Sequence, residues 1–221
     1  MEQQLFNQLL FPLIDSTPAR STARFKTFNG LAALTEGPIE DLNGINGGAD
    51  LERFANTDPD LVLSIRYGKI LKEQVIALPR LGILNLHSGR LPAYRGVMAS
   101  FWAMLNGEDH LATTLHYIDS PSIDTGPVLG FTELRVQPGK SYLWHVLNLY
   151  HDACALLAAR IDQLEENIAT PAESQHGAGT YYSFPTMAQL EQFEQRGFLL
   201  FDPSDVIDIA KSFTPPSGAA N

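Results

Sequence analysis

From residue 51 onward, apolar and polar positions fall in blocks that read as an ordered series of strands and helices. The spacing predicts a short helix over 51–56. Leu61-Val62-Leu63-Ser64-Ile65 is an apolar run bounded by Pro59 and Gly68, the pattern of a buried strand. A helix is predicted over 70–78, stopped by Pro79, and a second buried strand over 82–86. Strand, helix, strand at this spacing implies a parallel crossover unit. Val97, Phe101, Trp102 and Leu105 recur at helical spacing and predict a core helix over 97–106 ending at Gly107. Strands rich in Thr, Val, Leu and Phe follow over 112–118 and 128–136. Ser141 reads as the N-cap of a long helix whose apolar stripe is Leu143, Val146, Leu147, Tyr150, Leu157, Ile161 and Leu164. Residues 180–185 are aromatic and extended, Thr186 to Gln189 offers a capping box for a helix ending near Gly197, and 202–213 forms a last short helix. The tail 214–221 is expected to be disordered.

One polar pair interrupts this pattern. In an extended run side chains alternate faces, so Asn85 and His87 point the same way, at the carboxyl end of the second strand, where ligands of open α/β sheets bind. An amide can donate to a developing oxyanion while an imidazole moves a proton. Asp124 lies in the loop between the two later strands and adds a carboxylate. Asn85, His87 and Asp124 together are the inventory of an acyl-transfer site.

Composition narrows the partners. The chain has 221 residues, 44% of them apolar, enough for one globular domain or a domain with a small appendage. No run approaches the roughly 18 apolar residues of a membrane span. Glu2 stands where a secretory leader carries basic residues, so a cytoplasmic protein without membrane partners is expected. The single cysteine, Cys154, excludes an internal disulfide, argues against a thiolate metal site, and reads as a buried small apolar residue. The net charge of −10, with fifteen scattered Lys and Arg, disfavours a nucleic-acid partner.

The middle of the chain resembles the catalytic domain of the folate-dependent formyltransferases. The resemblance rests on Pro59-Asp60-Leu61-Val62-Leu63-Ser64, Tyr67-Gly68-Lys69-Ile70-Leu71, Asn85 to Gly96, Thr114-Leu115-His116 and Ile123-Asp124-Thr125-Gly126-Pro127. It implies an α/β fold with a mostly parallel, Rossmann-like sheet flanked by helices and shortened at the N-terminus. The expected layout is a catalytic domain over 1–170 and an aromatic, helical extension over 171–213 packed on it. It also implies transfer of a formyl group from 10-formyltetrahydrofolate, without a metal, to a primary amine through a tetrahedral intermediate. Asn85, His87 and Asp124 match the catalytic trio. Arg66, Tyr67, Gly68, Lys69, Ile70, Leu71, Ile118, Ser120 and Ile123 are the expected folate contacts. Ser88, Gly89, Arg90, Tyr94 and Arg95 border the acceptor, and Tyr181 and Tyr182, with Phe184, offer stacking surfaces for the base or sugar ring of a small-molecule acceptor such as an amino sugar nucleotide. The same trio with water as acceptor would make a 10-formyltetrahydrofolate hydrolase, and a catalytically inert folate-binding or interaction protein is the non-enzyme alternative.

The chain departs from the family pattern at Gly89, where serine is common, and in Ser120-Pro121-Ser122, which lengthens the Asp124 loop. Residues 1–50 show neither a first strand nor G-x-G-x-x-G. The sheet edge beside 61–65 then lacks a neighbour, and exposed edges invite pairing. A homodimer, or an edge covered by the N-terminal helix, is predicted. A scattering profile of a monomer together with a crystal structure showing a bare edge refutes this.

Overall fold

The computed structural model of the protein describes residues 4–16, 25–35, 39–168 and 171–213; the expected disordered tail at 214–221 lies outside the described residues. In chain order the elements are a π-helical stretch Gln4–Leu10, helices α1 (Phe11–Ser16), α2 (Phe28–Ala32) and α3 (Gly48–Ala55), strand β1 (Val62–Ile65), α4 (Glu73–Ile76), β2 (Ile83–His87), β3 (Arg95–Gly96), α5 (Ala99–Asn106), β4 (His110–Ile118), β5 (Val128–Arg135), α6 (Tyr142–Glu165), β6 (Tyr181–Tyr182), α7 (Met187–Gln195) and α8 (Pro203–Lys211). They form two compact units, Leu42–Leu200 and Met1–Asp41 with Phe201–Asn221. Among the described residues no helix is long and apolar enough to cross a membrane.

In the smaller unit the Phe11 ring meets those of Phe6, Phe28 and Phe213 at 5.7, 5.6 and 5.4 Å. Asp15 accepts hydrogen bonds from Thr27 Oγ1 and Asn29 Nδ2 at 2.8 and 2.9 Å. Asp202 caps α8 by accepting from the Ser204 amide, with Pro203 in the first turn where its missing N–H costs nothing. No described residue ahead of Gly48 is in a strand.

The larger unit has the expected α/β fold. Its sheet runs β1-β2-β4-β5, with β1 at one edge and, among the described residues, no strand beyond it. β1 and β2 are parallel, from Val62↔Ile83 to Ile65↔Leu86, and α4 forms their crossover. β4 runs antiparallel to β2 and β5 antiparallel to β4, so the sheet is mixed. The reason is topological. The chain leaves β2 at His87 and enters β4 at His110, with Thr114 the ladder partner of His87, so both strands meet the 88–109 connection at one end of the sheet.

Alternation along β2 sorts its side chains between two layers. Leu84 and Leu86 pack with Leu115, Leu129, Ala153 and Leu157, against α6. Ile83 faces the other way, with Leu71, Val75 and Ile45, and Asn85 and His87 share that side. A third cluster joins Phe101, Trp102, Met104 and Leu105 of α5 to Leu149 and Phe193, so the aromatic pair of α5 is core, as its spacing predicts. Capping follows the sequence closely: Ser141 accepts from the Trp144 amide, Thr186 and Gln189 form a reciprocal capping box, and Gly107 ends α5 in the left-handed region at φ 86°.

Two expectations need correction. The helix predicted over 70–78 is the single turn α4, because Asn46 holds the preceding backbone: its side chain donates to the Ile70 carbonyl and accepts from the Lys72 amide, both at 2.8 Å. Cys154, expected to be buried, is exposed. Ala153 and Leu157 occupy the core-facing stripe, and Cys154 lies about 100° further round the helix.

Phe193 is fully buried and stacks on Phe101 at 4.5 Å. Phe193→Ala removes that ring from the seam between α5 and α7 and is expected to cost about 3–5 kcal/mol in chemical denaturation.

Candidate active site

Three segments converge on the carboxyl end of β2. Across the sheet Ser64, Asn85 and His116 form one row, since Ser64 pairs with Asn85 and Asn85 with His116. Asn85 donates its amide hydrogens to the Ser64 carbonyl at 3.1 Å and Ser64 Oγ at 3.2 Å. His87, one strand position beyond on the same face, is buried with Nδ1 3.5 Å from Asp124 Oδ2. Its Nε2 lies 2.7 Å from the Tyr94 carbonyl oxygen. On the other flank of Asp124, His116 Nε2 is 3.7 Å from Oδ1.

The carboxylate is placed by its own loop and by the loop after β2. Gly96 donates its amide to Asp124 Oδ2 at 2.7 Å. Asp124 has φ 54°, a left-handed conformation that aspartate tolerates better than most residues. Gly126 allows the turn to close, because a Cβ there would stand 1.9 Å from the Tyr117 carbonyl oxygen. Gln175 ties the turn down, donating to the carbonyls of Asp124 and Gly126 at 3.0 and 2.8 Å.

The residues expected around this centre are distributed unevenly. Ser88, Gly89, Tyr94 and Arg95 form the loop over His87; Thr114 Oγ1 donates to the Gly89 carbonyl at 2.6 Å and accepts from the Leu91 amide, and Ser100 donates to the Ser88 carbonyl. Arg90 is drawn off to Glu133 and lies over the Phe131 ring. Arg66 to Leu71 leave the sheet beside His87, since Ile65 pairs with Leu86. Within that turn Arg66 lies over the Tyr150 ring, Tyr67 donates to the Leu42 carbonyl, Gly68, Lys69 and Ile70 are exposed, and Leu71 is buried in the core. Ser120 and Ile123 are half-buried in the Asp124 loop, whereas Ile118 pairs with Ile83 at the far end of β2 and packs in the core.

The two C-terminal tyrosines divide. Tyr182 is sandwiched between Tyr94 at 5.5 Å and Trp102 at 4.9 Å, in the core. Tyr181 pairs with Arg95 across the short β3–β6 ladder and is 55% exposed. Tyr94 is buried too, and burial pushes its hydroxyl up to about 12 while the bond to Glu108 reinforces the shift.

His116 and Gln175 are the site residues that sequence reasoning missed. For His116 a signal exists: it alternates with Thr114 on a strand and lies in one of the quoted motif blocks. Gln175 carries none. His116 is 1% exposed; its Nδ1 bonds the Tyr117 carbonyl at 2.8 Å and its Nε2 has no hydrogen-bond partner. Burial pushes the imidazole down to about 4; neighbouring Asp124 opposes the shift and His87 adds to it.

A stability prediction follows from the sign of that shift. Between the ordinary value of 6.5 and about 4, the unfolded chain binds a proton that the folded chain refuses. The contribution is therefore complete above pH 6.5 and lost as pH falls toward 4. On the order of 2–3 kcal/mol is involved. Denaturation curves at pH 7 and pH 4 should show a smaller acid loss in His116→Gln than in the parent.

The Formyl transferase family model matches residues 49–148. The methionyl-tRNA formyltransferase of Deinococcus radiodurans is 33% identical over 137 residues, 62% of this chain and 43% of that protein. That of Thermotoga maritima is 30% identical over 151 residues, 68% of this chain and 48% of the relative. The chain thus spans less than half the length of either. In fold it is similar to a 4-N formyltransferase from Francisella tularensis, with a TM-score of 0.56 at 16% identity over 86% of this chain and 73% of that one. It is also similar to a formyltransferase from Anoxybacillus kamchatkensis, solved in complex with UDP-4,6-dideoxy-4-formamido-L-AltNAc and tetrahydrofolate, with a TM-score of 0.52 at 18% identity over 83% of this chain and 89% of that one. Asn85, His87 and Asp124 all fall inside residues 49–148, the segment of this chain that matches the Formyl transferase family model.

Proposed function

We propose that this protein transfers a formyl group from 10-formyltetrahydrofolate to the primary amine of a small molecule, with an amino sugar nucleotide the best-fitting acceptor. The observation that carries the reading is the Asp124 carboxylate 3.5 Å from His87 Nδ1, on the same side of the sheet as Asn85, inside a formyl transferase domain.

The residues suit the chemistry in distinct ways. Asn85 donates to the negative charge developing on the formyl oxygen, at roughly 3 kcal/mol for a well-placed donor, and His87, once it takes up a proton, opposes that charge through space. The bonds from Asn85 to Ser64 are long, at 3.1 and 3.2 Å, and a charged oxygen competes well for the same hydrogens. Asp124 takes a proton from the acceptor amine, directly or through water. The Arg66 to Leu71 turn suits a folate ring: Gly68 borders open space, and Tyr67 and Ile70 present exposed ring and aliphatic surface beyond the carboxyl end of β1.

Acceptor choice rests on the other side of the site. Tyr181 and Phe184 are 55% and 71% exposed, and Tyr181 adjoins Arg95, whose Nε is buried without a hydrogen-bond partner. Flat aromatic surface beside an arginine fits a base or sugar ring carrying phosphate. The sugar nucleotide in the Anoxybacillus complex supports the same class. The names of the sequence relatives favour a second reading, an aminoacyl-tRNA acceptor. A net charge of −10 weighs against it, because phosphate neutralisation supplies most of the affinity for a polynucleotide.

The test is to incubate the protein with 10-formyltetrahydrofolate and a panel of amines, following tetrahydrofolate release by absorbance. Release that depends on an amino sugar nucleotide is expected, with His87→Ala and Asp124→Asn each at least about 100-fold slower. Release without amine would identify a hydrolase, folate binding without turnover an inert binding protein, and parental rates in both variants would overturn the catalytic assignment.

A further inference from the structure

Gly89 is buried within the loop that follows β2, and the space normally filled by a side chain is taken. A Cβ there would lie 2.5 Å from Ala99 Cβ and 2.7 Å from both His87 Nε2 and the Tyr94 carbonyl oxygen. The last two atoms are themselves 2.7 Å apart. The contact between imidazole and carbonyl therefore exists in the volume that a side chain at 89 would occupy. We propose that the Tyr94 main-chain carbonyl is the positioning group that fixes the tautomer of His87, and that Gly89 is the residue that lets it reach the ring.

The consequence follows from donor and acceptor chemistry. A carbonyl oxygen only accepts, so a 2.7 Å contact requires the hydrogen on Nε2. A neutral imidazole has one N–H, which leaves Nδ1 with a lone pair turned toward Asp124 Oδ2 at 3.5 Å. Oδ2 is itself an acceptor, already bonded by the Gly96 amide. His87 can then gain a proton only at Nδ1, between ring and carboxylate. The Tyr94 carbonyl thus couples the charge of His87 to the proton content of Asp124.

The arrangement at His116 is built the same way. Its Nδ1 bonds the Tyr117 carbonyl at 2.8 Å, so in the neutral ring Nε2 carries the lone pair and faces Asp124 Oδ1 at 3.7 Å. Two main-chain carbonyls orient two imidazoles, and both turn an acceptor nitrogen to one carboxylate. A proton that Asp124 removes from an amine then has His87 Nδ1 as its next acceptor, and the ring becomes cationic while the formyl oxygen is anionic. That kinetic role rests on the formyl-transfer reading, whereas the tautomer does not.

The experiment is a long-range proton–nitrogen correlation spectrum of the full chain labelled with nitrogen-15, near neutral pH, with the His87 ring assigned by its loss in His87→Gln. The expected result is a protonated Nε2 on His87 and a protonated Nδ1 on His116. Gly89→Ala, alone and combined with Ala99→Gly to relieve the second clash, should shift His87 to a mixture of tautomers while His116 keeps its pattern. A protonated Nδ1 on neutral His87 in the parent overturns the proposal, as does an unchanged His87 pattern in a folded Gly89→Ala or double variant. If neither variant folds, the parent spectrum alone decides. In the formyl-transfer assay the double variant should lose about tenfold in kcat with little change in KM. A parent without formyl-transfer activity would refute the proposed function and leave the spectrum as the measure of the tautomer.

Discussion

The hydrogen bond from the Gly96 amide to Asp124 Oδ2 joins the two loops on which the whole site depends. It links the nine-residue connection between β4 and β5, which carries the carboxylate, directly to the 88–96 loop. A charged acceptor on a backbone N–H is one of the stronger hydrogen bonds available to a protein. Here it also sets the height at which Asp124 meets the imidazoles of His87 and His116. The opposite edge of the same two-residue strand pairs with Tyr181 and Tyr182, so one short segment connects the carboxylate, the loop after β2 and the C-terminal aromatics.

Around that bond the chemistry is arranged by main-chain groups as much as by side chains. Carbonyls of Tyr94 and Tyr117 orient the two rings, and the carbonyl of Ser64 holds the Asn85 amide. Gln175 closes the Asp124 turn through two further carbonyls. Backbone atoms are carried by the fold and hold their places with little loss of side-chain entropy. Their use explains why glycines recur at the contact points: Gly89, Gly96 and Gly126 stand where a Cβ would meet a carbonyl oxygen at 2.7, 2.2 and 1.9 Å.

Much of this was legible in the residues. The strand containing Asn85 and His87, the placement of that pair on one face, the caps at Ser141 and Thr186 and the stop at Gly107 follow from local rules, and the structure has each of them. Where local rules failed, a distant residue intervened. The predicted helix at 70–78 shrank because Asn46 bonds its first backbone groups, and Tyr182, read with Tyr181 as surface for a ligand, was claimed by Tyr94 and Trp102.

The sequence by itself determined the alternation of β2, and with it that Asn85 and His87 share one face and Leu84 and Leu86 the other, because pleating gives an extended chain a period of two. It also specified an acyl-transfer inventory on glycine-punctuated loops. Only the tertiary structure decided which nitrogen of His87 faces Asp124, that a second imidazole stands behind that carboxylate, and that Arg90 is spent on Glu133. Those outcomes depend on partners 7 to 51 residues apart in the chain, such as Tyr94 with His87, Gly96 with Asp124 and Gln175 with Asp124. Local periodicity does not encode such pairings; they follow from which loops the packed sheet brings to one end.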